Sequence, residues 1–256
     1  MSEILGFVSL TGDMEKSNFL ANLAVSLSLS DKRVLLVDLG CPFPTLDMLC
    51  GVAENVVYTA LDVGMNKVSL SHAVLRIPVK EGRREVCDRL FLLPSSPLES
   101  WTEAQTCALL SSLRTEKAYD LTLVLFSHAT CVRKGLDALF LLTDADDISL
   151  RAAEARAADM GADAFLLMDY PTDWDSLCGI TPPVSAIDRL GLPLLGIVPR
   201  LPTGGLMGIL DGTARARNYL CAVRNVASRF LGKSTPLLSG VALVGIDRRQ
   251  LLAREG

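Results

Sequence analysis

Histidine is almost missing from this chain, and cysteine spaced for metal binding is missing altogether. Two histidines and seven cysteines occur in 256 residues, with no CxxC or paired Cys/His pattern. A metal site of the chain's own is therefore not expected. Aromatic residues are few, at 5%, while half of all residues are apolar, so the core is expected to be large and aliphatic. Neither charge dominates: 25 Lys and Arg face 29 Asp and Glu, a net charge of −4 that gives no global attraction to nucleic acid. No apolar run is long enough to span a bilayer. Met1-Ser2-Glu3 lacks a basic start, so no secretory leader is expected, and the scattered cysteines read as small buried side chains in a reducing compartment. The expectation is a soluble, cytoplasmic protein.

What the chain does have is a regular alternation of apolar and helical segments. Strands are expected at Ile4–Ser9, Arg33–Asp38, Arg89–Pro94, Leu121–Ser127, Ala138–Thr143, Ala164–Asp169 and Leu192–Pro199. Their continuous Val/Leu/Ile character suits strands buried on both faces of a parallel sheet. Helices are expected over Ser17–Ser30, Ser69–Leu75, Glu99–Leu113, Ile148–Met160 and Ala214–Leu231. Strand–helix alternation predicts an α/β fold, a doubly wound, mostly parallel sheet flanked by helices, with residues 1–256 forming one domain. Gly179–Pro183 and Pro199–Gly208 read as long loops. In such folds ligands sit at the carboxyl ends of strands, here residues 9–18, 38–47 and 126–133.

The first of these segments is the most informative. Ser9-Leu10-Thr11-Gly12-Asp13-Met14-Glu15-Lys16-Ser17-Asn18 follows a strand and opens a helix near Ser17. Strand, loop, Lys-Ser and helix is the layout of a phosphate-binding loop. Such loops use small residues so that consecutive backbone N–H groups can close around phosphate. Here Gly12 is the one glycine of the ten, and Asp13 and Glu15 bring carboxylates to a place meant for an anion. Each would repel phosphate unless turned to solvent. Lys16 beside Glu15 can instead form a local ion pair that closes the loop without ligand.

Residues 3–51 resemble the MinD/ParA-type P-loop ATPases, specifically the MinD branch. That family carries K-G-G-x-G-K-S/T, then A-N-L-A, then G-K-R-V-L-L-I-D. This chain has Ala21-Asn22-Leu23-Ala24 and then Asp31-Lys32-Arg33-Val34-Leu35-Leu36-Val37-Asp38. Thr45-Leu46-Asp47-Met48-Leu49-Cys50-Gly51, Val56-Val57-Tyr58, Ser69-Leu70-Ser71-His72-Ala73 and Leu90-Phe91-Leu92-Leu93-Pro94-Ser95-Ser96 follow in the family's order, and the similarity fades after about residue 145.

The resemblance implies a set of nucleotide-facing positions and shows several of them altered. Lys16 matches the lysine that meets the β/γ-phosphates, and Ser17 the hydroxyl on Mg²⁺. Gly12, Lys16, Ser17, Asn18 and Asp38 are thus the candidate cofactor-binding residues, for ATP or ADP with Mg or for no cofactor at all. Thr11 stands where the family's first lysine reaches across a dimer. The family's D-x-D becomes Asp38-Leu39-Gly40, without the carboxylate that handles the attacking water. Its D-x-P-A-G aligns with Phe126-Ser127-His128-Ala129-Thr130, so Phe126 replaces a metal-side aspartate. The base-reading asparagine near Tyr170-Pro171 is not evident. Phosphoryl transfer depends on positioned charge, so these losses predict little or no hydrolysis and no catalytic residue.

Other features have simpler readings. Asp38 is either a surviving metal-side carboxylate or a cap for the following loop, with the cap slightly favoured. Ser127-His128 suggests a nucleophile and base, but neighbouring strand residues point to opposite faces. Cys41 and Cys50 read as packing residues. Arg215, Arg217, Arg224 and Arg229 flank an amphipathic helix, either a weak DNA-binding face or, preferred, a solvated one. Val241–Arg254 is interrupted by Gly245 and Asp247, which argues for a last strand plus a short docking helix over a membrane-surface helix. The expected function is a non-hydrolysing, MinD-like binding or positioning module in a cell-division, polar-localisation or appendage-assembly system. Its partner would be another protein, a MinD/ParA-like relative or a second copy. The alternatives are a weakly active switch ATPase of the MinD/ParA type and a ParA-like DNA-binding module.

Overall fold

The computed structural model describes residues 2–11, 14–40, 43–81, 84–97, 100–127, 130–201 and 214–254. Expectations resting on Gly12, Asp13, Cys41, His128 and most of the loop after Arg200 lie outside those residues. The chain divides into two units, Met1–Leu139 and Phe140–Gly256.

In the first unit, β1 (Glu3–Ser9) leads into α1 (Met14–Ser28), β2 (Val34–Leu39), three short helices, β3 (Leu75–Glu81), β4 (Arg84–Leu93), α5 (Glu103–Thr115) and β5 (Leu121–Ser127). The short helices are α2 (Leu46–Leu49), α3 (Ala60–Gly64) and α4 (Leu70–Ala73). The strands lie in the order β3-β4-β2-β5-β1. β1 pairs with β5, β5 with β2 and β2 with β4 in parallel, while β3 runs antiparallel to β4. Apolar runs without alternation make β1, β2 and β5 buried on both faces, as the sequence pattern predicts. α1 is buried nearly all round, from Lys16 to Val25, because it is wedged against β2, β4, β5 and α2.

In the second unit, β6 (Ala138–Asp144), β7 (Ala164–Tyr170) and β8 (Leu194–Pro199) are parallel neighbours. They alternate with α6 (Asp147–Met160) and α7 (Pro183–Leu190), and are followed by α8 (Ala214–Phe230) and α9 (Arg248–Leu252). Asp146 caps α6 by accepting the Ile148 and Ser149 N–H groups, both at 2.9 Å. α8 lies so close to β8 that a Cβ on Gly196 would stand 2.6 Å from Val226 Cγ2.

The doubly wound α/β class holds, with five corrections to the elements. β3 occupies a stretch left unassigned, and its antiparallel edge position suits the proline it contains, Pro78. The helix expected over Ser69–Leu75 stops at Ala73 because the chain turns into β3. α7 occupies the stretch left unassigned after the loop expected at Gly179–Pro183; Pro183 at its start and Gly191 at φ 62 past its end are the signals that mark it. The last strand expected after Val241 is not formed. Instead the Asn218 side chain satisfies both backbone groups of Ala242, each at 2.8 Å, as a strand neighbour would. α5 begins at Glu103, not Glu99, behind a capping box of Thr102 and Gln105.

Gly6 is the tightest point of the first unit's core. A Cβ there would meet Leu136 Cδ1 at 2.6 Å, Leu139 Cδ1 at 2.9 Å and the Phe126 ring at 3.2 Å. Gly6→Ala is expected to cost about 1–3 kcal/mol by overpacking. Adding Leu136→Ala should make the double variant lose less than the sum of the two singles, in urea unfolding at unchanged m-value.

Candidate functional site

β2, β5 and β1 are adjacent and parallel, so their carboxyl ends share one edge. The register pairs Ser9 with Ser127 and Leu39 with Phe126, placing the chain segments after all three strands side by side. Lys16, Ser17 and Asn18 rise from the loop after β1, and Asp38 lies at the end of β2.

α1 starts at Met14, three residues earlier than expected, so Lys16 and Ser17 belong to its first turns. The Lys16 side chain is 1% exposed. Its ammonium donates to Thr11 Oγ1 at 3.0 Å, folding back over the loop, and the Ser9 hydroxyl donates to the Thr11 carbonyl. Ser17 and Asn18 are also buried, and Asn18 Oδ1 accepts from Asn22 Nδ2 at 2.9 Å. Glu15 is exposed, so its carboxylate is turned away from the buried side of the helix. Lys16 thus stands at the amino end of a long helix, where backbone N–H groups and the helix dipole favour an anion.

Asp38 is buried, and its carboxylate is divided among three backbone amides. Oδ1 accepts from Gly40 at 3.0 Å, and Oδ2 from Thr45 at 3.0 Å and Leu46 at 2.9 Å. It thereby caps α2 from a distance and shapes the loop between β2 and that helix. Burial pushes the Asp38 carboxyl above its ordinary value of 3.8, against the opposing pull of the amides. Cys50 nearby has its thiol pushed up to about 12, first by burial and then by the charges of Asp38 and Asp47, which suits a packing residue.

Two hydroxyls stitch this edge together. Thr130 Oγ1 donates to the Leu39 carbonyl at 2.8 Å, and Ser95 Oγ donates to the Asp38 carbonyl. Ser127 Oγ lies 3.1 Å from the same Thr130 hydroxyl. Sequence places Ser95 and Thr130 within runs aligned to the family but gives neither hydroxyl a role, because the carbonyls they meet are brought near only by the fold.

Whether these residues fit a Mg-nucleotide can be tested on the two sides of such a ligand. On the phosphate side they offer the Lys16 ammonium and the first turn of α1. On the metal side Asp38 is already shared by three amides, Gly40 has no side chain, and the Phe126 ring is fully buried beside Gly6. A Cβ at Gly40 would lie 3.1 Å from Asp38 Oδ1, so a larger side chain there would crowd Asp38. Among the described residues no group of three or more His, Cys, Asp or Glu is placed to hold a metal. The phosphate side fits, and the metal side has the Ser17 hydroxyl, with Asp38 already bound by amides.

In the second unit, Arg217 and Arg224 of α8 are exposed, whereas Arg229 is turned inward onto the Leu195 and Thr235 carbonyls. Among the described residues no helix is long and apolar enough to cross a membrane.

No protein-family profile matches the chain. In sequence it is 24% identical to the septum site-determining protein MinD of Synechocystis sp., over 98% of this chain and 99% of that protein. In structure it matches the MinC:MinD cell division protein complex of Aquifex aeolicus with a TM-score of 0.73 and 21% identity, covering 92% of this chain and 98% of that one. MinD of Pyrococcus horikoshii complexed with Mg-ADP gives 0.69 and 22%, covering 90% and 96%. Strand order, the strand–loop–helix around Lys16 and these likenesses define a P-loop NTPase fold. Within that class the chain is similar to the MinD/ParA-type P-loop NTPases in sequence and in fold.

Asp38 supplies a direct test of this geometry. Its raised value means the folded chain holds the proton more tightly than the unfolded chain. The stability this group adds is therefore full below about pH 3.8 and lost as pH rises through the folded value. Asp38→Asn should cost about 1–3 kcal/mol at neutral pH, by turning one acceptor toward amides as a donor. The stability gap to the parent should widen on acidification toward pH about 4; a gap that narrows would refute the assignment.

Proposed function

We propose that this chain is a MinD-like P-loop protein that binds adenine nucleotide and does not hydrolyse it efficiently, acting as a binding or positioning module. The observation that carries the reading is the contrast within one edge of the fold. A lysine is retained at the start of α1, 1% exposed, while the corresponding metal-side positions are Gly40 and Phe126. Among the described residues Lys16 supplies charge to hold phosphate, whereas Gly40 and Phe126 supply none to a hydrolytic transition state.

In this reading Lys16 meets the phosphates, Gly12 and the amides of the first turn line them, and Ser17 and Asn18 complete the near wall. Asp38 shapes the neighbouring loop instead of holding metal. The cofactor is ATP or ADP, and residues 1–256 act as one P-loop NTPase-like domain. The setting is cell division, polar localisation or appendage assembly, in the cytoplasm, with a protein partner, a MinD/ParA-like relative or a second copy. The full-length likeness to MinD proteins, one of them solved together with MinC, supports a partnered role.

A switch ATPase is the second reading, favoured by Lys16 and Ser17 themselves and by the Mg-ADP complex of the Pyrococcus horikoshii relative. The two differ in turnover. Mg-ADP at ~100 times its Kd should raise stability by about 2.7 kcal/mol in a thermal melt. Lys16→Met should remove that shift, and phosphate release from Mg-ATP should stay at background. Turnover at rates typical of MinD-type ATPases would replace the first reading with the second. No shift with either nucleotide would sink both.

A further inference from the structure

The second unit carries a cluster of cations that the nucleotide reading does not use. Past the end of α8 the chain reads Gly232-Lys233-Ser234-Thr235-Pro236. Gly232 adopts φ 74, and the N–H groups of Gly232 and Lys233 close the helix by bonding the Arg229 and Ser228 carbonyls, each at 2.9 Å. This is a helix end, so Lys233 and Ser234 turn outward and are exposed. With Arg229 and Arg254 they line a cleft of about 370 Å³.

The cleft's charge is built in. Arg229 is fixed in its wall, with Nε on the Thr235 carbonyl and Nη1 on the Leu195 carbonyl, both at 2.7 Å. Arg254 reaches Asp188 of α7 at 2.9 Å, holding the end of α9 beside the opening. Lys233 and Arg254 therefore bring charge to the cleft's opening, Arg229 lies fixed in its wall, and Asp188 is the acid paired with Arg254. Its remaining surface is apolar, from Ile187, Leu194, Leu237 and Leu251, the last of which anchors α9 at 2% exposure.

We propose that this cleft binds a soluble phosphate ester with an apolar body. The Lys233 ammonium, the Ser234 and Thr235 hydroxyls and the Arg254 guanidinium offer more donors than the two oxygens of a carboxylate can accept. A phosphate's three terminal oxygens and double charge match them better. The volume and mixed lining suit a small molecule held by a charged head and a buried tail. The proposal stands whether or not nucleotide binds at Lys16.

The test uses the full chain carrying Lys16→Met, so that the loop after β1 does not contribute. Phenyl phosphate, inorganic phosphate and phosphatidylglycerol/phosphatidylcholine vesicles are compared by equilibrium dialysis, or sedimentation for vesicles, with melting temperature as a second readout. Phenyl phosphate is expected to bind with a Kd on the order of 1 mM or tighter, and inorganic phosphate more weakly. Lys233→Ala, at an exposed position that leaves the core untouched, should weaken phenyl phosphate about tenfold, or about 1.4 kcal/mol. Arg254→Ala should weaken it similarly. Absence of phenyl phosphate binding, binding indifferent to Lys233→Ala, or capture by vesicles alone would each overturn the proposal.

Discussion

The contact on which this account turns is the hydrogen bond from the Lys16 ammonium to Thr11 Oγ1, 3.0 Å long, made by a lysine that is 1% exposed. A buried charge is costly unless hydrogen-bonded, so Thr11 is held where it supplies that acceptor. The flanking elements hold both partners in place. β1 is paired along its whole length with β5, and α1 is buried on nearly every side against β2, β4 and β5. The lysine cannot leave without disturbing the first turn of a core helix. Phosphate meeting this ammonium would compete with the Thr11 hydroxyl for it.

The neighbouring loops are fixed in a different way. Asp38 gives its carboxylate to three amides and its carbonyl to Ser95, while Thr130 ties the end of β5 to Leu39. These bonds run between protein groups, so this edge keeps its shape from within. A MinD/ParA-type P-loop scaffold is retained, and its side chains near the strand ends are largely committed to one another.

Much of the fold is legible in the sequence because buried parallel strands leave an unmistakable mark. Long Val/Leu runs such as Val34–Val37 and Leu121–Phe126 fix strand identity without any alternation to interpret. The unread elements are those whose signal is short or tertiary. β3 contains a proline and exists because β4 offers it an edge, and the stretch expected as a last strand finds its partner in the single side chain of Asn218. At the site, Lys16, Ser17 and Asn18 were readable from their place after β1. The Lys16–Thr11 contact and the hydroxyls of Ser95 and Thr130 depend on loops meeting in space, which residue spacing does not encode. For Asp38 the sequence left a metal-side role and a capping role open; its three amide partners are those of a cap.

The most direct measurement compares ADP affinity of the parent with that of Thr11→Val, a variant of similar size that removes the acceptor of the Lys16 bond. If Thr11 competes with phosphate for the ammonium, the variant should bind ADP about tenfold more tightly, the worth of one hydrogen bond to a charged group. Equal or weaker ADP binding by the variant would contradict the account, and would mean that Thr11 does not restrain the lysine.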